Sequence, residues 1–396
     1  MNNFEFNLPT RILFGRGAEE AVGAECTAEL AAGLFPKRVL LHFGGSSAEK
    51  SGLLGRVRVS LAASGIEYVE LGGVKPNPVL SLVYKGIELC RKEKLGLVLA
   101  VGGGSVIDSA KAIAAGTLYD GDVWDYYTGK AEAPETALPV ATILTIPAAG
   151  SESSCGSVIT REEGALKRPV NADCLFPRFS ILNPELAFTL PENQIANGAA
   201  DIMAHLMERY FTNVDHVELS DRLIEATLRT VISVAPRVLA DPTGYDAWAE
   251  LMWSGTIAHN NLLDRGRIGD WASHDIEHEL SGIYDIAHGA GLAVIFPAWM
   301  KHNLLHDLPR FVQFAVRVWG IEPDAFFPER VAREGIARLE AFWKSLGLPG
   351  RLSNLGIGMD RVVEMARKCT ADDSHTTGQF VKLTSVDIEK IYRLAE

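Results

Sequence analysis

Several absences narrow the possibilities before any motif is read. No apolar run in the 396 residues reaches the roughly eighteen that a membrane span needs, so no membrane partner is expected. No cluster of lysine and arginine builds a basic face. The net charge of −12 is spread along the chain, and a nucleic-acid partner is not expected. There is no Cys-x-x-Cys. The five cysteines (Cys26, Cys90, Cys155, Cys174, Cys369) are scattered and odd in number, which suits buried small side chains better than disulfides or zinc thiolates. The start, Met1-Asn2-Asn3-Phe4-Glu5, lacks the basic and then apolar pattern of a signal peptide, and a cytoplasmic protein is the expectation.

What is present is a long chain of ordinary globular composition, with 47% hydrophobic and 22% charged residues, so two domains are expected. The first half alternates short apolar runs with amphipathic stretches. Lys37–Phe43, Ile66–Leu71, Leu95–Val101 and Val140–Ile146 read as strands. Ala48–Ser64, Leu80–Lys94 and Val106–Gly116 read as helices between them. Such alternation predicts an α/β domain with a parallel sheet covered on both faces. Beyond Pro191 the patterns are helical, as in Asn193–Thr212, Val217–Leu239, Ala247–Leu262 and Pro328–Leu346. The expected division is a dinucleotide-binding α/β domain over 1–190 and an all-α, metal-binding domain over 191–396.

Two histidine-bearing segments stand out in the helical half. Asp201 and His205 are four apart, on one face of a helix, where both can point at one ion. His274 and His278 share a face in the same way, and His288-Gly289 follows after a turn around Ser281–Asp285. Carboxylate plus imidazole suits Zn²⁺ or Fe²⁺, and the lack of thiolates argues against a closed structural zinc site. Individually satisfied histidines account for the same spacing. His302 and His306 repeat the four-residue interval with no third ligand near, which reads as a surface helix. His42, His216, His259 and His375 are isolated and carry no assigned role.

The α/β half offers two glycine-rich turns at strand ends. Gly102-Gly103-Gly104-Ser105 follows a buried strand and opens a helix, with Asp108 in its first turn. Glycines admit close approach of a phosphate, and the helix start presents N–H groups to it. The competing reading is a tight turn with Ser105 as N-cap. Gly44-Gly45-Ser46-Ser47, with Lys50 behind it, ends the Lys37–Phe43 strand. An acid here would hold a ribose 2′-hydroxyl, whereas small residues, hydroxyls and a lysine suit a 2′-phosphate. Glu49 opposes that reading if it turns inward, and a serine-capped helix would carry the same residues. Thr145, at the end of the fourth strand, borders the same region.

Together these segments resemble the iron-containing, or group III, alcohol dehydrogenase family over nearly the whole chain, in its butanol dehydrogenase and NADPH-dependent aldehyde reductase branch. Gly102-Gly103-Gly104-Ser105-x-x-Asp108 is similar to the family's pyrophosphate loop, and Asp201-x-x-x-His205 to its first ligand pair. His274-x-x-x-His278 followed by His288-Gly289 is similar to its histidine motif. The resemblance implies that Asp201, His205, His274 and His288 hold one divalent ion, Fe²⁺ or Zn²⁺. It implies that His278 lies near the nicotinamide without binding the metal, as a catalytic proton relay. Gly44-Gly45-Ser46-Ser47 resembles the branch that prefers NADP(H), and Lys167 matches a lysine that lines the cofactor site. Ala149 departs from a threonine common in that branch, and Phe4–Phe14 is similar to the family's N-terminal strand. A hydride transfer between NADP(H) and a small primary alcohol or aldehyde follows, in a homodimer. The alternatives are a metal- and NAD-using lyase similar to dehydroquinate synthase and a non-catalytic nucleotide-binding protein. The lyase should carry a battery of Lys/Arg for an anionic substrate, and none stands out in the C-terminal half.

Overall fold

The computed structural model describes residues 1–33 and 35–396, which fall into two compact units. One comprises Asn7–Thr189; the other comprises Leu190–Glu396 together with Met1–Phe6. Among the described residues no helix is long and apolar enough to cross a membrane.

The first unit contains β1 (Arg11–Phe14), α1 (Val22–Ala32), β2 (Arg38–Phe43), α2 (Ser47–Lys50), α3 (Leu53–Ala63) and β3 (Glu67–Leu71). It continues through α4 (Leu80–Glu93), β4 (Leu97–Gly103), α5 (Gly104–Leu118), α6 (Trp124–Tyr127) and β5 (Val140–Ile146). It ends with β6 (Gly156–Arg161), β7 (Leu166–Asn171) and β8 (Phe179–Leu182). Six strands form a parallel sheet in the order β1-β8-β5-β4-β2-β3. β4 lies inside it and is buried at every position, which is why Leu97–Gly103 is apolar without alternation. One face packs Val39, Leu41, Leu99, Val101, Ile143 and Ile181 in a core with Cys26 and Leu30 of α1 and Val57 and Leu61 of α3.

The order of the strands matters for function. From β2 the chain builds outward to β3, then returns to place β4 on the other side of β2. The sheet therefore reverses direction between β2 and β4. At such a switch point the loops leaving neighbouring strands part and open a crevice at their carboxyl ends. β2 is followed by the loop Gly44-Gly45-Ser46, and β4 runs directly into the start of α5 at Gly104-Ser105; these are the two glycine-rich turns.

Four expectations need correction. The helix expected over Ala48–Ser64 is two, because Gly52 adopts φ 75 between α2 and α3. The antiparallel β6–β7 hairpin and the short strand β8, which joins the parallel sheet between β1 and β5, were not expected. Only Arg11–Phe14 of the Phe4–Phe14 segment pairs as a strand. The helix expected from Val106 begins at Gly104, directly on the end of β4.

The second unit is helical: α7 (Glu192–Tyr210), α8 (Glu218–Ala240), α9 (Tyr245–His259), α10 (Ala272–Tyr284) and α11 (His288–Asn303) precede α12 (Leu308–Trp319), α13 (Pro328–Ser345), α14 (Val362–Cys369) and α15 (Ser385–Leu394). α7 packs against α8, α9 and α11, and every residue from Gly198 to Tyr210 is buried. A helix covered all round has no solvated face for polar side chains. Each of its polar residues must find a partner or a ligand.

His42, on β2, shows how such burial acts. Its Nδ1 donates to the carbonyl of Leu71 at 2.8 Å, and its Nε2 lies 2.9 Å from the Ser109 hydroxyl of α5. Burial lowers its pKa from 6.5 to about 4. The unfolded chain therefore takes up the proton first as pH falls, and stability contributed by neutral His42 is lost between pH 6.5 and about 4. The full effect is on the order of 3 kcal/mol at 1.36 kcal/mol per pKa unit. In urea titrations from pH 7 to pH 4, the difference between wild type and His42→Gln should shrink by about this amount. A pH-independent difference would show that His42 titrates alike in the folded and unfolded states.

Candidate metal centre and nucleotide loops

α7 places Asp201, His205 and Glu208 on one face, at intervals of four and three residues. The ligand atoms of Asp201, His205 and His274 all lie within 4.8 Å of one another. His288 opens α11, and its Nε2 is 4.0 Å from Asp201 Oδ1. The His205 and His274 ring centroids are 4.7 Å apart, and those of His274 and His288 are 5.3 Å apart. One carboxylate and three imidazoles thus converge.

Each imidazole is held by its Nδ1. His205 Nδ1 donates to the carbonyl of Asp201 at 2.9 Å. His274 Nδ1 is 2.8 Å from Glu208 Oε1. His288 Nδ1 bonds Glu277, which also accepts from the Ser281 hydroxyl. A ring whose Nδ1–H is engaged by an acceptor carries its lone pair on Nε2, the atom a metal takes. Burial keeps His274 neutral, with a pKa lowered to about 4. Burial opposes ionisation of Asp201, but the surrounding imidazoles, His205 foremost, outweigh it and hold the carboxyl well below the usual range.

Glu208 and Glu277 have no role in the sequence reading. Glu208 accepts the backbone N–H groups of Trp271 at 2.6 Å and His274 at 3.1 Å, so a carboxylate from α7 caps the start of α10. The same carboxylate fixes the His274 ring, and so ties the register of α10 to the ligand face of α7. Burial raises Glu208 to about 8; a divalent ion beside His274 would favour its ionised form and oppose that shift. Close approach of helices completes the arrangement. A Cβ on Gly289 would lie 2.1 Å from the carbonyl oxygen of Asn197, so only glycine lets the start of α11 meet α7.

The site fits a divalent ion by its unpaired atoms. Asp201 Oδ1 and His274 Nε2 are buried without a hydrogen-bond partner; His205 Nδ1 lies 3.1 Å from that Oδ1 but directs its hydrogen to the Asp201 carbonyl. Unpaired buried atoms occur elsewhere in the chain, as at Trp343 Nε1, but here two of them come from different helices and belong to one cluster of ligand atoms. Oxygen and nitrogen donors without thiolate suit Fe²⁺ or Zn²⁺.

His278 stands beside this set. Its ring centroid is 5.5 Å from that of His288 and 6.5 Å from that of His274, and its ligand atom groups with those of Glu277 and His288. His259, given no role in the sequence reading, has its ring 4.3 Å from that of His205. His302 and His306 do not meet: His302 approaches Asp387 at 3.7 Å, and His306 approaches Asn213 at 3.2 Å.

In the other unit, Gly103 is the N-cap of α5 and no side chain caps it, so Ser105 sits inside the helix and is not its cap. Part of the glycine requirement is internal: a Cβ on Gly102 would lie 2.4 Å from Val106 and one on Gly103 would lie 2.9 Å from Ile146. Ser46 precedes α2 without a capping hydrogen bond. Asp108 is turned to its own unit, accepting from the Ser151 hydroxyl at 2.6 Å and the Val158 N–H at 3.0 Å. It joins α5 to the Ser151 turn after β5 and to β6. Lys167 is buried on β7 and donates to Asn77 at 3.0 Å. Thr145 lies half-buried near the end of β5.

Two family models cover nearly the whole chain: iron-containing alcohol dehydrogenase over residues 9–184, and the C-terminal model of the same family over residues 195–395. The chain belongs to the iron-containing alcohol dehydrogenase family. It is 44% identical over 99% of both chains to the probable NADH-dependent butanol dehydrogenase 1 of Bacillus subtilis. It is 34% identical, over 100% of both, to the NADPH-dependent aldehyde reductase YqhD of Escherichia coli. The crystal structure of NADH-dependent butanol dehydrogenase A from Thermotoga maritima superimposes with a TM-score of 0.94 at 41% identity, covering 100% of this chain and 99% of that one. The chain is therefore an alcohol dehydrogenase or aldehyde reductase of the butanol dehydrogenase branch, a family that implies a nicotinamide cofactor and an iron-type divalent ion.

Proposed function

We propose that this enzyme transfers a hydride between NADP(H) and a small primary alcohol or aldehyde, using one Fe²⁺ or Zn²⁺ held by Asp201, His205, His274 and His288. The observation that carries the reading is the pair of buried, unpaired atoms, Asp201 Oδ1 and His274 Nε2, facing the same point as two further imidazoles. The relatives' names, butanol dehydrogenase and aldehyde reductase, support the substrate class. When bound, the ion would supply Lewis acidity to the substrate oxygen. Asp201 supplies the negative charge of the ligand set, and Glu208 and Glu277 keep the His274 and His288 rings turned with Nε2 inward. His278, beside His288, relays a proton to or from the substrate oxygen, directly or through water. Gly102, Gly103, Gly104 and Ser105 receive the pyrophosphate at the start of α5, with Asp108 bracing that turn. Thr145 and Lys167 border the cofactor. We also propose a homodimer, supported by the place of β1 at the edge of the parallel sheet; sedimentation giving a single species of monomer mass would exclude it.

His205→Ala should lose the ion and nearly all activity while the circular dichroism spectrum is kept. His278→Asn should keep the ion and lose roughly 10²–10⁴-fold in rate. Metal analysis of both purified variants, beside an aldehyde-reduction assay with butanal, separates the two roles. An active His205→Ala, or a His278→Asn stripped of metal, would reverse the assignment concerned.

Cofactor choice turns on the loop after β2. Relatives named for NADH and for NADPH share the branch. Three features support NADPH here. Glu49, which would oppose a 2′-phosphate, is paired with Arg58 at 2.9 Å. Lys50 is exposed at the end of α2, and Ser46 makes no helix cap. NADPH should therefore exceed NADH in kcat/KM by about tenfold or more, a difference of only about 1.4 kcal/mol. Gly45→Asp should narrow or reverse the ratio, since nothing lies within 4 Å of a Cβ there and the new acid meets open space. Equal efficiencies, or a preference for NADH, would overturn the assignment.

A further inference from the structure

His205 differs from the other two imidazoles of the centre. His274 and His288 are each held by a carboxylate from outside their own turn, whereas the Nδ1 of His205 is held only from within its own helix, by Asp201, whose carbonyl lies at 2.9 Å and Oδ1 at 3.1 Å. Its ring is positioned from the other side by a group that the reaction does not use. Arg209 follows His205 by one turn of α7 and is 1% exposed. Its Nη1 donates to the His205 carbonyl at 2.9 Å, and its Nε donates to Asp264 at 2.9 Å. Its Nη2 lies 3.4 Å from His259 Nδ1. A guanidinium has only donors, so His259 Nδ1 accepts, which fixes its tautomer. His259, the last residue of α9, then meets the His205 ring edge to face at 82°. The Trp271 ring covers the same group, 4.8 Å from the guanidinium carbon and 5.9 Å from the His205 ring. Asp264 matters for charge. A bare guanidinium this close would repel a divalent ion, and its paired carboxylate offsets that.

We propose that Arg209, His259 and Asp264 form a brace that positions the His205 ring and thereby sets the affinity of the centre for its ion. The proposal rests on the ion site argued above. Partners in the outer shell of metal sites are typically worth 10–100-fold in affinity. The test uses the full chain stripped by chelator and titrated with Zn²⁺ in competition with a chromophoric chelator. Co²⁺ is then loaded so that its visible bands report ligand geometry. His259→Leu and Arg209→Gln should weaken Zn²⁺ binding by about 10–100-fold and shift the cobalt bands. His259→Asn, which retains an acceptor near the Nδ1 position, should recover much of the affinity. Melting of the metal-free proteins separates positioning from general stability: in the leucine variant the gain in Tm on adding Zn²⁺ should fall. If Arg209→Gln does not fold, His259→Leu decides, because that residue is half-exposed at a helix end. A wild-type chain that binds no ion would overturn the site itself. A wild type that binds, with variants of equal affinity and unchanged cobalt bands, would overturn only the brace.

Discussion

The architecture of the helical unit depends on one constraint: three imidazoles must each turn Nε2 to the same point. An imidazole has two nitrogens and a freely rotating ring, and what the protein can grip is Nδ1. The carbonyl of Asp201 grips His205, Glu208 grips His274, and Glu277 grips His288. The helices are arranged around those grips. Glu208 caps α10 while it holds the first imidazole of that helix, so the cap and the ligand are set by one carboxylate. Glu277 reaches from α10 to the first residue of α11, and Gly289 lets that residue stand against α7. The order of α7, α10 and α11 is in this sense the order of the proposed ligands.

The α/β unit follows a different logic, in which topology does what side chains do at the metal. The return of β4 past β2 opens the sheet at its carboxyl edge whatever residues stand there. The sequence then needs only small residues in the two turns, and a helix start without a side-chain cap, to leave backbone N–H groups for an anion. Asp108 belongs to this frame more than to the ligand. It ties α5 to the turn containing Ser151, next to Lys111, whose ammonium is buried among the carbonyls of Ser151, Ser154 and Gly156.

How much of this could be read in advance depends on how local each signal was. The Asp201–His205 pair needs only one helix turn, and its spacing was legible. The paired segments of the parallel sheet were legible from apolar runs, but β8, four residues long, was too short to stand out from a loop. The break between α2 and α3 hangs on the left-handed conformation of Gly52 within an otherwise helical pattern. Glu208 and Glu277 went unread because their partners come from other helices or from beyond a turn. A signal for them did exist. His205 and His274 are each followed by a glutamate three residues on, in His-Leu-Met-Glu and His-Asp-Ile-Glu. On a helix that glutamate shares the ligand's face. The pattern works crosswise, the first glutamate serving the second histidine and the second serving the third. His259 left no such trace, since it lies on α9 and meets His205 only through packing.

The energetics argue that this polar centre is retained for an ion. Glu208, Arg209 and Glu277 are essentially without exposure, and Asp201, His205 and His274 are nearly so. Burying such groups is costly even when they are paired, and apolar side chains of similar volume would often be more stable. Pairing is also left incomplete at two atoms, Asp201 Oδ1 and His274 Nε2. Each unpaired buried group costs about 1–3 kcal/mol, a large share of the 5–15 kcal/mol that keeps a typical domain folded. A chain selected only for stability would lose these groups readily by substitution. Their presence in a helix buried along most of its length is accounted for if an ion completes them, because its binding energy then adds to folding. On that account α7 is buried all round for a reason that the hydrophobic core alone does not supply: its polar face is packed around the position that the ion takes.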